Sequence, residues 1–395
     1  SDSRLLQEDA WRPYFERLRN EDPVHYCADS QFGPFWSITR FDDIVAVDSN
    51  HEVFSSEPTI VIGDLAEDMP VEMFIAMDPP KHDVQRAAVQ SVVAPKNLAE
   101  MESLIRARVV DILDNLPVGE TFDWVERVSI NLTTQMLATL FGFPFEDRAK
   151  LTYWSDLAAA APEMTGGDAD PEERVKGMME CLETFTRIWH ERKAAGDQGG
   201  FDLITLLQRD PNTADLVDRP MEFLGNLALL IVGGNDTTRN SITGGVLALN
   251  QSPAEYDKLR ADHSLIPGMV SEIIRWQTPL THMRRTATED FELGGRMINK
   301  GDKVVMWYIS GNRDESAIER ADESLTDRKN PRHHVSFGFG VHRGMGNRLG
   351  EMQLRILWEE IMQRFSRVEV KGDTERVQSN FVRGYASLPV SLHAI

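Results

Sequence analysis

The 395-residue sequence predicts a mainly α chain folded as one large domain, residues 1–395, with small antiparallel β-sheets. Three observations carry this. Apolar residues recur at three- and four-residue spacing through most of the first two-thirds. Strand signals are scarce and gather near 25–60, 281–307 and 367–395. The order of elements shows no βαβ rhythm, no repeat and no low-complexity linker.

Taken in order, FWSITRF (35–41) reads as a strand, and DPPKHDVQR (78–86) as a helix start set up by Asp78 and two prolines. His82 and Arg86 follow four apart on one face, which serves either as a solvated surface or as a ligand for carboxylate or phosphate. NLAEMESLIRARVVDILDNL (97–116) and DWVERVSINLTTQMLATLFG (123–142) carry helical periodicity. TGGDADPEE (165–173) reads as a surface loop between helices. After the long apolar helix at 221–250 and SEIIRWQTPL (271–280), strands are expected in 281–307, and again in VEVKG and FVRGYASLPVSL near the C-terminus.

Totals exclude several function classes. With 42 Lys and Arg against 63 Asp and Glu the formal charge is −21, so the surface as a whole repels nucleic acid and anionic membranes. The apolar run LALLIVGG (227–234) falls short of the roughly 18 to 20 residues that span a bilayer, and a cytoplasmic protein is expected. The two cysteines, Cys27 and Cys181, offer no disulfide framework and no metal-ligand spacing.

Four stretches break local rules. Gly233 and Gly234 interrupt the apolar helix MEFLGNLALLIVGGNDTTRNSITGGVLALN, and each interior glycine gives up roughly 1 kcal/mol relative to alanine. Either the pair ends one helix and Asp236 caps the next, or the helix opens locally, with a hydroxyl bonding back one turn and Asp236 and Thr237 facing a pocket. Glu272 and Arg275 stand three apart on one helical face, as they also would in a plain surface pair. The third stretch is the His82–Arg86 face. The fourth, DRKNPRHHVSFGFGVHRGMGNR, holds five Lys or Arg, three His and no acid from Arg328 to Arg348, a positive island in an acidic chain. Its glycines do not match the spacing of dinucleotide or P-loop phosphate cradles.

In this order the four stretches resemble the cytochrome P450 monooxygenases, from about residue 30 to the end. Gly233, Gly234, Asp236 and Thr237 match the family's central-helix motif, and Glu272 and Arg275 its Glu-x-x-Arg pair. Phe337, Gly340, His342 and Gly346 match its haem loop. At the position of that loop's iron-ligating cysteine stands Gly344. GGNDTTRNSITGGVLALN, EIIRWQTPLTHMRRTA and FGFGVHRGMGNRLGEMQLRILWEEI look most like the bacterial class that hydroxylates the terminal carbon of alkanes and fatty acids.

The resemblance implies the P450 fold, a helix-rich triangular prism with small antiparallel sheets, holding haem b (iron protoporphyrin IX). His82, Arg86, Arg285 and His342 would contact the propionates, while Phe337, Gly338, Gly344 and Gly346 would form the loop beneath the iron. Asp236 and Thr237 would relay protons toward dioxygen. Glu272 and Arg275 would hold the fold around the haem. Leu229, Ile231, Val232, Gly233, Leu280, Met283, Phe381 and Val382 would line an apolar substrate pocket. Electrons would arrive from ferredoxin and ferredoxin reductase, the ferredoxin docking on the positive island.

Gly344 leaves the iron with no protein ligand at its usual position. Water, imidazole or a shifted neighbour such as Met345 or His342 would take that place. Three readings stay open: an altered form of a working monooxygenase, a haem- or lipid-binding protein on the same scaffold, and an enzyme with unusual ligation.

Overall fold

The computed structural model describes residues 1–395 apart from Asp68, residues 166–169 and the side chain of Glu163. Most of the Gly-rich part of the loop expected at 165–173 lies outside the described residues. Its far end does not: Asp170 accepts the Glu172 N–H (3.0 Å) and caps the helix Pro171–Ala195.

The axis of the molecule is one continuous helix, Pro220–Gln251, started by a proline at its first position and an acid in its first turn. It packs against the helices Asn131–Phe141, Ala149–Ala159, Pro171–Ala195, Ile266–Gln277 and Asn347–Arg364. Close approach has a local cause. A Cβ on Gly244 would stand 2.2 Å from Gln277 Oε1, and one on Gly245 2.7 Å from Ile273 Cδ1, so the pair lets Ile266–Gln277 lie directly on the central helix. The main apolar core surrounds this contact and includes buried Trp124, Trp154, Trp189 and Trp358.

A five-stranded sheet forms the other side, in the order Val24–Cys27, Phe35–Ile38, Lys303–Met306, Met283–Ala287, Phe54–Ser55. Its neighbours are antiparallel except Phe35–Ile38 with Lys303–Met306, which run parallel and pair Trp36 with Val304. The expectation of antiparallel strands alone is corrected at that pair. The C-terminal strand Pro389–Ala394 lies between Thr121–Asp123 and Phe365–Val370.

Two boundaries differ from the sequence reading. The chain expected as one helix over 123–142 begins as the strand Thr121–Asp123, passes through a π-helical turn, Val125–Ile130, and only then becomes Asn131–Phe141. The Asp123 carboxylate is the cause. It accepts the N–H groups of Val125 (3.0 Å) and Leu388 (2.9 Å), tying the segment to the C-terminal sheet. The strand expected over 35–41 stops at Ile38, and Phe41 opens the helix Phe41–Asp48 with its N–H on Asp314 (2.9 Å). Among the described residues no helix is long and apolar enough to cross a membrane.

Candidate active site

Between the central helix and the glycine loop lies a cavity of about 320 Å³. Gly233, Gly234, Thr237 and Thr238 form one wall and residues 336–338, 342 and 344–347 face them. The central helix is neither broken nor capped at its glycines. Thr237 Oγ1 donates to the Gly233 carbonyl (2.9 Å), Asn240 Nδ2 to that of Asp236 (2.8 Å) and Ser241 Oγ to that of Thr237 (2.8 Å), so side chains bond back one turn along this stretch. The reading of two helices with Asp236 as a cap is thereby overturned. The two glycines do different work. A Cβ at Gly233 would meet nothing within 4 Å because it would project into the cavity, whereas at Gly234 it would stand 3.0 Å from Leu137 of the neighbouring helix.

Asp236 does not line the cavity, contrary to expectation. One residue is about 100° of helical turn, and that turn sends Asp236 toward the helix Ala149–Ala159. There it accepts from Ser155 Oγ (3.4 Å) and Asn235 Nδ2 (3.3 Å) and lies 3.8 Å from Arg239, which is itself paired with Asp156 (3.0 Å). Burial pushes its pKa up to about 6, against the pull of Arg239. Ile231 is turned into the main core in the same way. Val382 pairs with Leu280 in an isolated bridge, and in extended backbone the residue beside it, Phe381, is the one that lines the cavity. Leu229, Val232, Gly233, Leu280, Met283 and Phe381 do line it.

The glycine loop is a set of nested turns. Gly338 N–H donates to Val335 O (2.9 Å), Arg343 N–H to Gly340 O (3.2 Å) and Gly344 N–H to Phe337 O (2.8 Å). Gly338 and Gly340 sit at φ +70° and +69°, where only glycine is comfortable, and a Cβ on Gly340 would stand 2.7 Å from Asp48 O. Gly344 carries no such demand. Its φ is not left-handed, and a Cβ there would make ordinary contacts, the nearest at 3.6 Å to Phe337 O. The backbone that makes glycine necessary at 338 and 340 would accept a side chain at 344.

At the cavity edge four expected groups converge, with distinct states. His342 Nε2–H donates to Met77 O (2.8 Å), its Nδ1 faces Ser56 Oγ (3.4 Å), and its ring lies 4.2 Å from that of His82. Burial, with Arg285 close by, drives its pKa down to about 3, so the ring is neutral. His82 is also lowered by burial and is bonded to Asp83 (2.8 Å). Arg285 donates to Asp48 (2.8 Å), which also accepts Tyr308 O–H (2.6 Å) and Phe339 N–H (2.8 Å). Arg86 donates to Val341 O (3.2 Å) and, among the described residues, has no carboxylate partner.

Beneath the loop, Glu272 accepts from Arg275 Nε, Arg328 Nε (2.5 Å) and Leu325 N–H (2.9 Å), while Arg275 reaches the carbonyls of Asn312, Ala321 and Glu323 (2.7 Å each). Asn312 in turn holds Ser336 Oγ and Val335 N–H (2.8 Å each), the residues that enter the loop. The expected pair is therefore a triad, and Arg328 belongs to it rather than to a free positive patch. Arg332 is paired with Glu351 (2.7 Å). Arg343 and Arg348 remain without an ion pair among the described residues. With Arg86 and Arg332 they line an outer cleft that meets the inner cavity at Gly344 and Met345.

The cytochrome P450 family model matches residues 183–390. The chain belongs to the cytochrome P450 family. Linalool 8-monooxygenase of Pseudomonas putida is 36% identical over 394 residues, covering 96% of this chain and 94% of its own. The methyl-branched lipid omega-hydroxylase of Mycobacterium tuberculosis is 31% identical over 405 residues, covering 98% and 92%. The solved structure of cytochrome P450-153 from Novosphingobium aromaticivorans superposes with a TM-score of 0.92 at 45% identity, over 100% of this chain and 98% of that one.

Haem is the cofactor of these P450 enzymes, and the site divides on it. The slot between helix and loop and the carboxylate-free guanidinium of Arg86 suit a flat macrocycle with acidic arms. Among the described residues no thiol lines the cavity. Gly344 has no side chain, Cys27 lies outside the cavity bonded to Asp29 O (3.4 Å), and Cys181 is buried in the core, where burial pushes its thiol pKa up.

Sequence reasoning missed Asp48, Tyr308 and Arg174. Asp48 and Arg174 carried a signal. Each is a charge where an apolar stripe calls for a hydrophobic residue, Asp48 after Phe41 and Ile44, and Arg174 ahead of Met178, Cys181 and Phe185. Tyr308, in VVMWYISG, carried none.

Proposed function

We propose that this cytochrome P450 is a cytoplasmic monooxygenase for an aliphatic, alkane- or fatty-acid-like substrate, hydroxylated at or near the chain end with electrons from a ferredoxin. The observation that supports this most directly is the cavity wall, in which Leu229, Val232, Leu280, Met283 and Phe381 surround the open face of Gly233 and Thr237. Two relatives, a linalool 8-monooxygenase and a methyl-branched lipid omega-hydroxylase, point to the same chemistry.

Bound haem supplies oxygen activation. In this proposal the chain's own residues place the substrate and move protons. Arg86 and Arg285, beside the His82–His342 pair, hold the acidic arms of the cofactor. The Thr237 hydroxyl is fixed toward the cavity by the Gly233 carbonyl and positions a proton donor there. Asp236, with a pKa near 6 and its back to the cavity, exchanges protons behind the helix, beside Arg239 and Asp156. The free arginines 343 and 348 on the outer cleft receive an acidic ferredoxin.

Gly344 withholds the thiolate that the resemblance assigns to this position, so the chain as it stands is expected to be impaired. The decisive experiment compares it with Gly344→Cys, a substitution the local backbone accommodates. Carbon monoxide spectra of the reduced, haem-loaded forms and product analysis with medium-chain alkanes and fatty acids are read together. A thiolate-type Soret shift and hydroxylation that appear only in the cysteine form support the proposal. Absence of activity in both forms favours the second reading that Gly344 raises, a haem- or lipid-binding protein on a P450 scaffold.

A further inference from the structure

The cavity has a second cationic feature that none of these roles uses. Arg174, on the helix Pro171–Ala195, lines the cavity beside Ala158, Met164 and Met178 and is 9% exposed. Its helix packs against Ala149–Ala159, Leu203–Arg209 and the central helix, whereas the glycine-loop helix Asn347–Arg364 packs against Pro95–Asp114, Ile266–Gln277 and the central helix. Arg174 therefore stands on a different wall from the cations that face the loop.

Its position is built in. Gly177, one turn on, sits so close to Leu157 that a Cβ would lie 2.0 Å from Leu157 Cδ1, and this close approach draws the helix under the end of Ala149–Ala159. There Arg174 Nε donates to Leu157 O (3.3 Å), which orients the guanidinium. Of its five N–H donors one, among the described residues, is engaged in this way. Among the described residues no carboxylate pairs with it. Asp156, next to Leu157, is held by Arg239, and Glu172 and Glu173 are on the exposed face of the helix. Arginine keeps its proton in proteins, so this wall carries a permanent, buried positive charge among apolar side chains, unmatched among the described residues.

We infer that Arg174 receives the carboxylate of a fatty-acid substrate, directing the methyl end of the chain toward Gly233 and Thr237. A guanidinium fork matches a carboxylate in shape and charge, and an aliphatic chain between the two ends matches the wall. The inference rests on the aliphatic reading of the cavity and deepens it, favouring an acid over a neutral alkane or terpenoid alcohol, and it explains how a chain end rather than a mid-chain carbon is presented.

The test is calorimetric binding of dodecanoate and of methyl dodecanoate, equal in chain length and different in charge, to the haem-loaded full chain at pH 8. The acid is expected to bind at least roughly tenfold more tightly than the ester. Arg174→Met should abolish that preference, and Arg174→Lys should keep part of it. Equal affinity of the unaltered protein for acid and ester overturns the anchor and leaves the aliphatic cavity standing. Failure to bind either compound overturns the substrate reading and the anchor with it. The comparison of acid with ester in the unaltered protein decides the matter even where a variant does not fold.

Discussion

Replacing Glu272 by alanine is predicted to be among the most damaging single changes in this protein. Glu272 is 1% exposed, and two guanidinium groups depend on it, Arg275 at 0% and Arg328 at 7% side-chain exposure. Removing one partner of a buried pair destabilises by about 3–5 kcal/mol, because the remaining charge is left without compensation. The Leu325 N–H, left without its acceptor, places the loss toward the upper end of that range. Against a total stability on the order of 5–15 kcal/mol this is a third or more. Arg275→Met should be milder, since Glu272 keeps Arg328 and Leu325, although the Asn312, Ala321 and Glu323 carbonyls lose their donor. Urea unfolding followed by circular dichroism, on both single variants and the double variant, measures the coupling. The double variant should fall short of the sum of the singles by about 2 kcal/mol. Additive losses, or a Glu272→Ala loss under about 1 kcal/mol, would refute the view that this network supports the glycine loop.

Three further outcomes follow from single residues. Asp236 holds its proton more tightly folded than unfolded, so its contribution to stability is greatest in acid, declines as pH rises from about 4 through 6 and levels off above. The stability of the unaltered protein minus that of Asp236→Asn should fall by roughly 2 kcal/mol between pH 4.5 and 7 in urea melts, and a flat difference contradicts the burial argument. Gly340→Ala imposes a left-handed φ on alanine and a 2.7 Å approach to Asp48 O, with an expected loss of about 1–3 kcal/mol and weaker haem retention, since Asp48 also holds Arg285 and Phe339. At Gly346, where a Cβ meets nothing within 4 Å, the same change should cost under about 1 kcal/mol, and equal losses at the two sites would contradict the reasoning. Arg343→Glu should weaken ferredoxin binding at low salt more than Arg332→Glu does, because Arg332 is already paired with Glu351, and the difference should shrink as salt rises. Unchanged affinity in both would sink the docking proposal.

Much of the site was legible because its markers are local. The glycines of the loop, the Gly-Gly-x-Asp-Thr run and the Glu-x-x-Arg spacing lie within single turns or loops, so their arrangement follows from helical geometry and backbone preference. The partners of those markers were not legible. Arg328 reads as part of a basic run and folds onto Glu272, 56 positions away; Arg285 reads as a propionate contact and already holds Asp48, 237 positions away.

The sequence by itself determined that the chain is mainly helical, that its four rule-breaking stretches resemble P450 motifs, and that position 344 of the glycine loop has no side chain. Each of these depends on residue identity and short spacing alone. Tertiary packing decided which way neighbouring residues face: Thr237 into the cavity and Asp236 away from it, Phe381 into the cavity and Val382 into the core beside it, Arg174 beneath Leu157. It also showed that Gly338 and Gly340 are held to glycine by φ and by Asp48, while Gly344 is not. Local spacing sets the angle between two side chains on an element, and only the surfaces packed around that element decide which angle points to solvent, to core or to substrate.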